Sequence, residues 1–197
     1  MNRNILPFRT DYGIPSPLMR ELLEKGKKFN ITEIIPFSPQ EITVAQWVNL
    51  KCRYGCSKYG SSWCCPPATP PPEKVENLIS EYSLAMLLVG TQSFPEFYFE
   101  NRQKRLKQVR TWKGTLSLER FLFLEGYYKA FSLVGESCAL CKECAYPDEC
   151  RFPRERRPSL ESLSIDVIGT LKRLGKTPRI AKHHCESYSY YAVILVE

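Results

Sequence analysis

The sequence lacks several features that would assign it to a common class of protein. No apolar stretch approaches twenty residues, and no charged leader with an apolar segment opens the chain, so we expect a cytoplasmic protein without membrane association. A Gly-rich phosphate loop, a nucleophile elbow and a paired acidic motif are all missing, which removes the usual signatures of phosphoryl transfer and hydrolysis. Histidine occurs only twice. The chemistry of the chain must therefore come from other residue types.

Cysteine is the residue type that stands out, with nine copies in 197 residues. A chain of this length can bury a core without disulfides, and cytoplasmic thiols stay reduced. Clustered cysteines in such a chain are therefore interpreted as metal ligands or redox catalysts. Eight of the nine fall into two groups, and Cys185 stands apart.

The second group lies in "ESCALCKECAYPDECRFP" and has the spacing Cys-x2-Cys-x2-Cys-x5-Cys, formed by Cys138, Cys141, Cys144 and Cys150. Bacterial ferredoxins hold a four-iron cluster with a similar run, in which proline follows the fourth cysteine directly. Here the last interval is longer, and Pro153 lies three residues beyond Cys150. Zinc usually takes its thiolates as two separated pairs. The spacing therefore favours an iron-sulfur cluster, with zinc as the alternative.

The first group is less regular, because Cys52 and Cys56 are followed by the adjacent Cys64 and Cys65. Two neighbouring cysteines do not readily reach one metal from a short loop, so we expect one of them to be the ligand. The rigid proline pair that follows Cys65 favours that residue. Three thiolates would leave one iron free for water, substrate or another residue, and an open position is where chemistry occurs.

A closed first site is the other interpretation, and it needs a fourth ligand. The candidates are Cys64, Cys185 and one of His183 and His184, since imidazole and thiolate are common ligands of zinc and iron. A surface loop before the last strand is the simpler interpretation of the trio at 183–185. The open and the closed site both stay as alternatives at this stage.

Two stretches of the sequence resemble a prokaryotic family of predicted metal-binding proteins, the domain of unknown function 2284. One is "CRYGCSKYGSSWCCPP", and the other runs from "EGYYKAFSLVGESCALCKEC" through "AYPDECRFPRERRPSLESLSIDV". The resemblance implies metal binding but no settled reaction. Cys64 and the tail "AKHHCESYSYY" depart from the family pattern. The ligands implied by the resemblance are Cys52, Cys56, Cys65, Cys138, Cys141, Cys144 and Cys150.

The remaining pattern predicts one α+β domain over residues 1–197, with a small mixed sheet, flanking helices and two cysteine-rich metal-binding loops. The loops are expected at about 52–67 and 138–153, where turn-forming residues interrupt regular structure. A helical pattern spans about 101–134, with a break expected near Gly114. Strands are predicted in "ITEIIPF", "LAMLLVG" and "YYAVILVE".

The net charge of +7 suits an acidic partner. Basic residues concentrate in "NRQKRLKQVRTWK", which we interpret first as a solvated helix face. A second basic stretch follows the fourth cysteine of the second group and contains Arg151, Arg154, Arg156 and Arg157. These side chains would raise a cluster's potential and could dock an acidic electron donor.

The combined prediction is an iron-sulfur protein with two 4Fe-4S clusters, acting in electron transfer or in redox chemistry on a partner or small substrate. The alternative is a zinc-binding structural or nucleic-acid module, in which the basic helix near Arg105 meets phosphate. We prefer the cluster protein and do not expect nucleic acid as its partner. The sequence assigns no catalytic residue, no substrate and no oligomeric state, and leaves open whether the protein is an enzyme.

Overall fold

The computed structural model describes residues 12–93, 102–178 and 186–197, and these residues form an α+β domain. The four strands are β1 (Ile31–Phe37), β2 (Ala85–Ser93), β3 (Phe131–Leu133) and β4 (Ser187–Leu195). The five α-helices are α1 (Ser16–Lys27), α2 (Gln46–Gly55), α3 (Pro72–Ser80), α4 (Arg102–Leu124) and α5 (Val167–Arg173).

The strands form one sheet in the order β1-β2-β4-β3. All three pairings between these strands are antiparallel, so the expectation of a mixed sheet was wrong. The reason lies in the last strand: β4 inserts between β2 and β3 and runs opposite to both. Antiparallel neighbours need no crossover of the βαβ type that parallel strands require.

Both faces of the sheet are covered by apolar side chains. In β2, Ala85 and Leu87 belong to one buried cluster, whereas Met86 and Leu88 belong to the cluster on the opposite face. This alternation is the period of two that a strand imposes on its side chains. A strand covered on both faces reads as a continuous apolar run, which is why "LAMLLVG" was predictable.

Helix α4 is continuous through Gly114, contrary to the predicted break. A Cβ built at this glycine would lie 2.4 Å from Cβ of Phe29, so the residue is small because a side chain packs against the helix there. The helix ends at Leu124, earlier than predicted, and Phe131 belongs to β3. Among the helices of the described residues, none combines the length and apolarity needed to cross a bilayer.

The two cysteine segments differ in their backbone. Cys52 lies inside α2, so the predicted first loop begins in a helix. The segment from 135 to 158, which carries the second group, contains no helix or strand. Its ends are joined at the edge of the sheet, where the Val134 N–H donates to the Pro158 carbonyl and the Leu160 N–H donates to the Val134 carbonyl.

Candidate metal centre

The eight described cysteines are unpaired thiols, and they line two different cavities. The first cavity has a volume of about 290 Å³ and is lined by Cys52, Cys56 and Cys65. The second has a volume of about 410 Å³. Five thiols line the second cavity: Cys64, Cys138, Cys141, Cys144 and Cys150.

Three different backbone elements supply the thiols of the first cavity. Cys52 lies on the last turns of α2, and Cys56 immediately follows that helix. Cys65 is buried in a turn in which its N–H donates to the Ser62 carbonyl at 3.2 Å. Burial first, and the nearby Cys56 thiol second, raise the pKa of the Cys65 thiol to about 11. In metal-free protein this thiol is therefore protonated at neutral pH.

Hydrogen-bonding side chains from α4 and from the segment after β3 complete the wall of the first cavity. Lys104 and Gln108 stand one helical turn apart on α4. Glu136 also lines this cavity, and its carboxyl group accepts a hydrogen bond from the Tyr188 hydroxyl at 3.4 Å. Burial raises the pKa of Glu136 above its ordinary value. The cavity therefore combines soft sulfur donors with a cation, an amide and carboxyl groups.

Glu161 lies at the junction of three cavities. This residue lines the first cavity, a smaller one of about 170 Å³ beside β4, and an apolar groove of about 320 Å³ beyond α2. Glu161 is exposed, and partial desolvation by the neighbouring protein raises the pKa of its carboxyl group. The groove shares Cys52 and Cys56 with the first cavity, so both of these thiols are reached from two sides.

Backbone contacts hold the 3-10 helix Glu161–Leu163 against the first cysteine segment. The Cys52 Sγ donates to the Glu161 carbonyl oxygen at 3.8 Å, and the Thr69 hydroxyl donates to the Ser162 carbonyl at 2.7 Å. Helix α2 and the turn after Cys65 are thus fixed to the same short element. The first cavity is built by three parts of the chain that are distant in sequence.

Cys64 and Cys65 are adjacent, but they face different cavities. The Cys64 thiol donates a hydrogen bond to the Cys138 sulfur, which lowers the pKa of Cys138 and raises that of Cys64. The Leu140 N–H also donates to the Cys138 sulfur and lowers its pKa further. The peptide bond between Cys64 and Cys65 therefore connects the two groups of thiols directly.

Polar contacts with backbone carbonyls shape the irregular segment of the second cavity. Arg105 donates from Nε to the Ala139 carbonyl at 3.0 Å and from Nη2 to the Leu140 carbonyl at 2.8 Å. Trp63 Nε1 donates to the Asp148 carbonyl at 2.7 Å. Because Arg105 donates both of these hydrogen bonds to the cysteine segment, the basic helix helps to shape the second cavity.

The basic stretch after Cys150 also makes internal contacts. Arg151 donates to the Glu143 carbonyl at 2.8 Å, and the Arg156 guanidinium lies 5.3 Å from the centre of the Trp63 ring. Arg157 forms a buried, two-pronged ion pair with Glu119 on α4. Arg154 is exposed and lines a groove of about 510 Å³. Three of the four arginines thus have roles within the fold.

The structure groups the described cysteines into two sets, and the other predicted ligands lie outside the described residues. His183, His184 and Cys185 lie outside the described residues. In the described ranges, no group of three or more His, Cys, Asp or Glu side chains is arranged to hold one metal ion.

Several residues on the cavity walls were missed by sequence reasoning, including Lys104, Gln108, Glu136 and Glu161. Glu136 stands two residues before Cys138, which is the one positional hint in the sequence. Glu161 follows the second cysteine segment in "SLESL" and carries no such signal. Its position depends on how the chain returns past α2.

Comparison with known proteins gives one match. A family model described as a predicted metal-binding protein (DUF2284) matches residues 35–196, which includes both groups of described cysteines. Neither the curated proteins nor the solved structures contain a significant match. Since the matched region covers most of the chain, this protein belongs to the DUF2284 family of predicted metal-binding proteins.

Proposed function

We propose that this chain is an iron-sulfur protein that holds two 4Fe-4S clusters and transfers electrons between a redox partner and a small substrate. One observation carries the proposal: the cysteines divide between two neighbouring cavities, with the Cys64–Cys65 peptide between them. A shared wall of this kind suits two redox centres that exchange electrons.

The donor atoms fit such clusters. Soft thiolates select zinc or iron-sulfur centres, and the only sulfur ligands offered to either cavity by the described residues are cysteines. At the second cavity the continuous run Cys138, Cys141 and Cys144 supports a cluster, because zinc usually takes separated pairs. We assign the first cluster to Cys52, Cys56 and Cys65, and the second to that run together with Cys150.

The second cavity is proposed as the electron relay. When bound, the clusters would supply one-electron transfer, with a potential that depends on hydrogen bonds to the sulfurs and on nearby charge. The Leu140 N–H and the Cys64 thiol both donate to the Cys138 sulfur. The guanidinium group of Arg105 donates hydrogen bonds to the carbonyls of Ala139 and Leu140. These groups would stabilise the more negative, reduced state.

The first cavity is proposed as the working site, because three thiolates leave one position for another group. Lys104 and Gln108 line the cavity beside these thiols and would help to orient a polar substrate there. Glu136 and Glu161 also line this cavity, and burial raises the pKa of both carboxyl groups. In this role the protein is a redox enzyme whose substrate is small and polar at its reacting end.

We further propose an acidic redox partner and a cytoplasmic location. Arg154 and Arg120 line the groove of about 510 Å³ together with Lys113, which pairs with Glu155, close to the end of the second cysteine segment. The groove has more basic than acidic side chains, which suits an acidic donor. Reduced thiols, which both sites require, persist in the cytoplasm.

Optical spectra of anaerobically purified protein test the proposal. Iron-sulfur clusters make the solution brown, with broad absorption near about 400 nm that falls when dithionite is added. Colourless protein that binds zinc would overturn the cluster proposal and favour a structural zinc module.

A further inference from the structure

Beside the three thiols of the first cavity lies a carboxyl group that neither the sequence pattern nor the family assigns. Cys64, the described cysteine that was the alternative fourth ligand, lines the second cavity instead and forms a hydrogen bond with Cys138. Of the two glutamates on the first cavity, only Glu161 also lines the groove that reaches Cys52 and Cys56. Glu161 therefore adjoins the same thiols from both sides.

The backbone keeps Glu161 close to Cys52. Its carbonyl oxygen accepts a hydrogen bond from the Cys52 thiol at 3.8 Å. The next carbonyl in its short helix, that of Ser162, accepts a hydrogen bond from Thr69 in the first cysteine segment. Both glutamate carboxyl groups accept hydrogen bonds, that of Glu136 from Tyr188 and Gln108 and that of Glu161 from Ser159 and its own N–H. Glu161 thus lies beside both the thiols and the groove, whereas its neighbour Glu136 lines the first cavity without lining the groove.

Carboxylate oxygen is an established ligand of iron in proteins, although it is harder than thiolate. We infer that Glu161 is the fourth protein ligand of the first cluster and that a small ligand entering through the apolar groove can displace it. The inference rests on the proposed function, since it requires a cluster on Cys52, Cys56 and Cys65. It would explain how one position can be protected at rest and available during turnover.

The test is electron paramagnetic resonance of the reduced, anaerobic protein, titrated with cyanide as the probe. Glu161→Ala should change the first-site signal and should tighten the apparent cyanide affinity by roughly tenfold or more, the scale on which a lost metal contact acts. Glu161→Cys would complete four thiolates and should abolish the cyanide response. Glu125→Gln, the control at an exposed residue that lines neither cavity, should behave as the wild type.

The second cluster is an internal reference, because its signal and its iron come from the same sample. Loss of first-site iron in Glu161→Ala with retention in Glu161→Cys would also support the inference. The inference would be overturned if Glu161→Ala and Glu161→Cys both kept the wild-type signals and cyanide affinity. Loss of first-site iron from both variants would also overturn it. The same holds if neither the wild type nor Glu161→Ala responded to cyanide. A spectrum that changes instead on Cys185→Ala would assign the ligand to that residue and overturn the role of Glu161.

The two proposals fail in different ways. Wild-type protein without iron and sulfide would overturn the cluster function and the ligand inference together. A normal iron and sulfide content combined with spectra insensitive to Glu161 would overturn the ligand inference alone.

Discussion

The two cavities contain the same chemical donor, but their surroundings differ. The first is built from α2, α4 and a 3-10 helix, and its three thiols face charged and hydrogen-bonding side chains. The second is built largely from irregular chain, and its five thiols share the wall with the aromatic rings of Trp63, Tyr146 and Phe152 and with charged side chains, Lys58, Lys142 and Glu143. Three thiols are one fewer than the four that close a cubane cluster, whereas five exceed that number. We therefore propose an open working site at the first cavity and a closed relay at the second.

The largest expected effect comes from breaking the second site alone. Cys141→Ser should remove about four irons per chain, because a cubane cluster loses its hold when one thiolate is lost. The first-site signal in electron paramagnetic resonance should remain. Loss of a single zinc ion, measured by elemental analysis, would contradict the assignment of the second site.

The adjacent thiols sharpen the comparison further. Cys65→Ala should strip iron from the first site, since this thiol lines the first cavity only. Cys64→Ala should leave the first-site iron in place, because its thiol lies on the second cavity with Cys138. Iron analysis of the two variants side by side measures this difference. Equal losses at the first site would mean that the cavities do not separate the two cysteines as proposed.

A third test weakens the attachment of the second region to the fold. Glu119→Ala removes the carboxylate partner of the partly buried Arg157 guanidinium, which keeps its bonds to the Arg154 and Arg156 carbonyls, and it also removes the acceptor of the buried Ser132 N–H. Loss of these contacts should lower the free energy of unfolding of the metal-free protein in urea by about 1–3 kcal/mol. Glu125→Ala, an exposed control just beyond α4, should change stability by about 0.5 kcal/mol or less. A cost for Glu119→Ala no larger than that of the control would contradict the structural role.

The smallest effect concerns thiol reactivity in metal-free protein. The hydrogen bond from Cys64 stabilises the Cys138 thiolate and lowers its pKa. Cys64→Ala should therefore raise the Cys138 pKa, shift its alkylation profile to higher pH and slow alkylation at pH 7. Mass spectrometry after timed iodoacetamide treatment measures this rate, since the thiolate is the reactive form. An unchanged profile would show that the two sulfurs do not interact.

The parts of the fold that follow local rules were predictable. The strand predicted in "ITEIIPF" coincides with β1, and "LAMLLVG" overlaps β2, because burial of the sheet leaves a clear apolar pattern. The break expected at Gly114 was wrong because that glycine makes room for Phe29, which is distant in sequence. Local propensity does not report such a contact.

The candidate site shows the same division. Spacing was enough to separate two cysteine groups, but it did not place Cys64 beside Cys138, since that contact joins segments far apart in the chain. The position of Glu161 likewise depends on how its 3-10 helix packs against α2. Tertiary contacts decide which polar residues surround the thiols, and no short motif encodes them.

The most direct test of the central claim is a joint measurement of iron, acid-labile sulfide and zinc per chain in the anaerobically purified protein. Two four-iron clusters predict about eight irons and about eight sulfides, with no stoichiometric zinc. A content of one or two zinc ions without sulfide would contradict the account, because thiolates that hold only zinc carry no electrons.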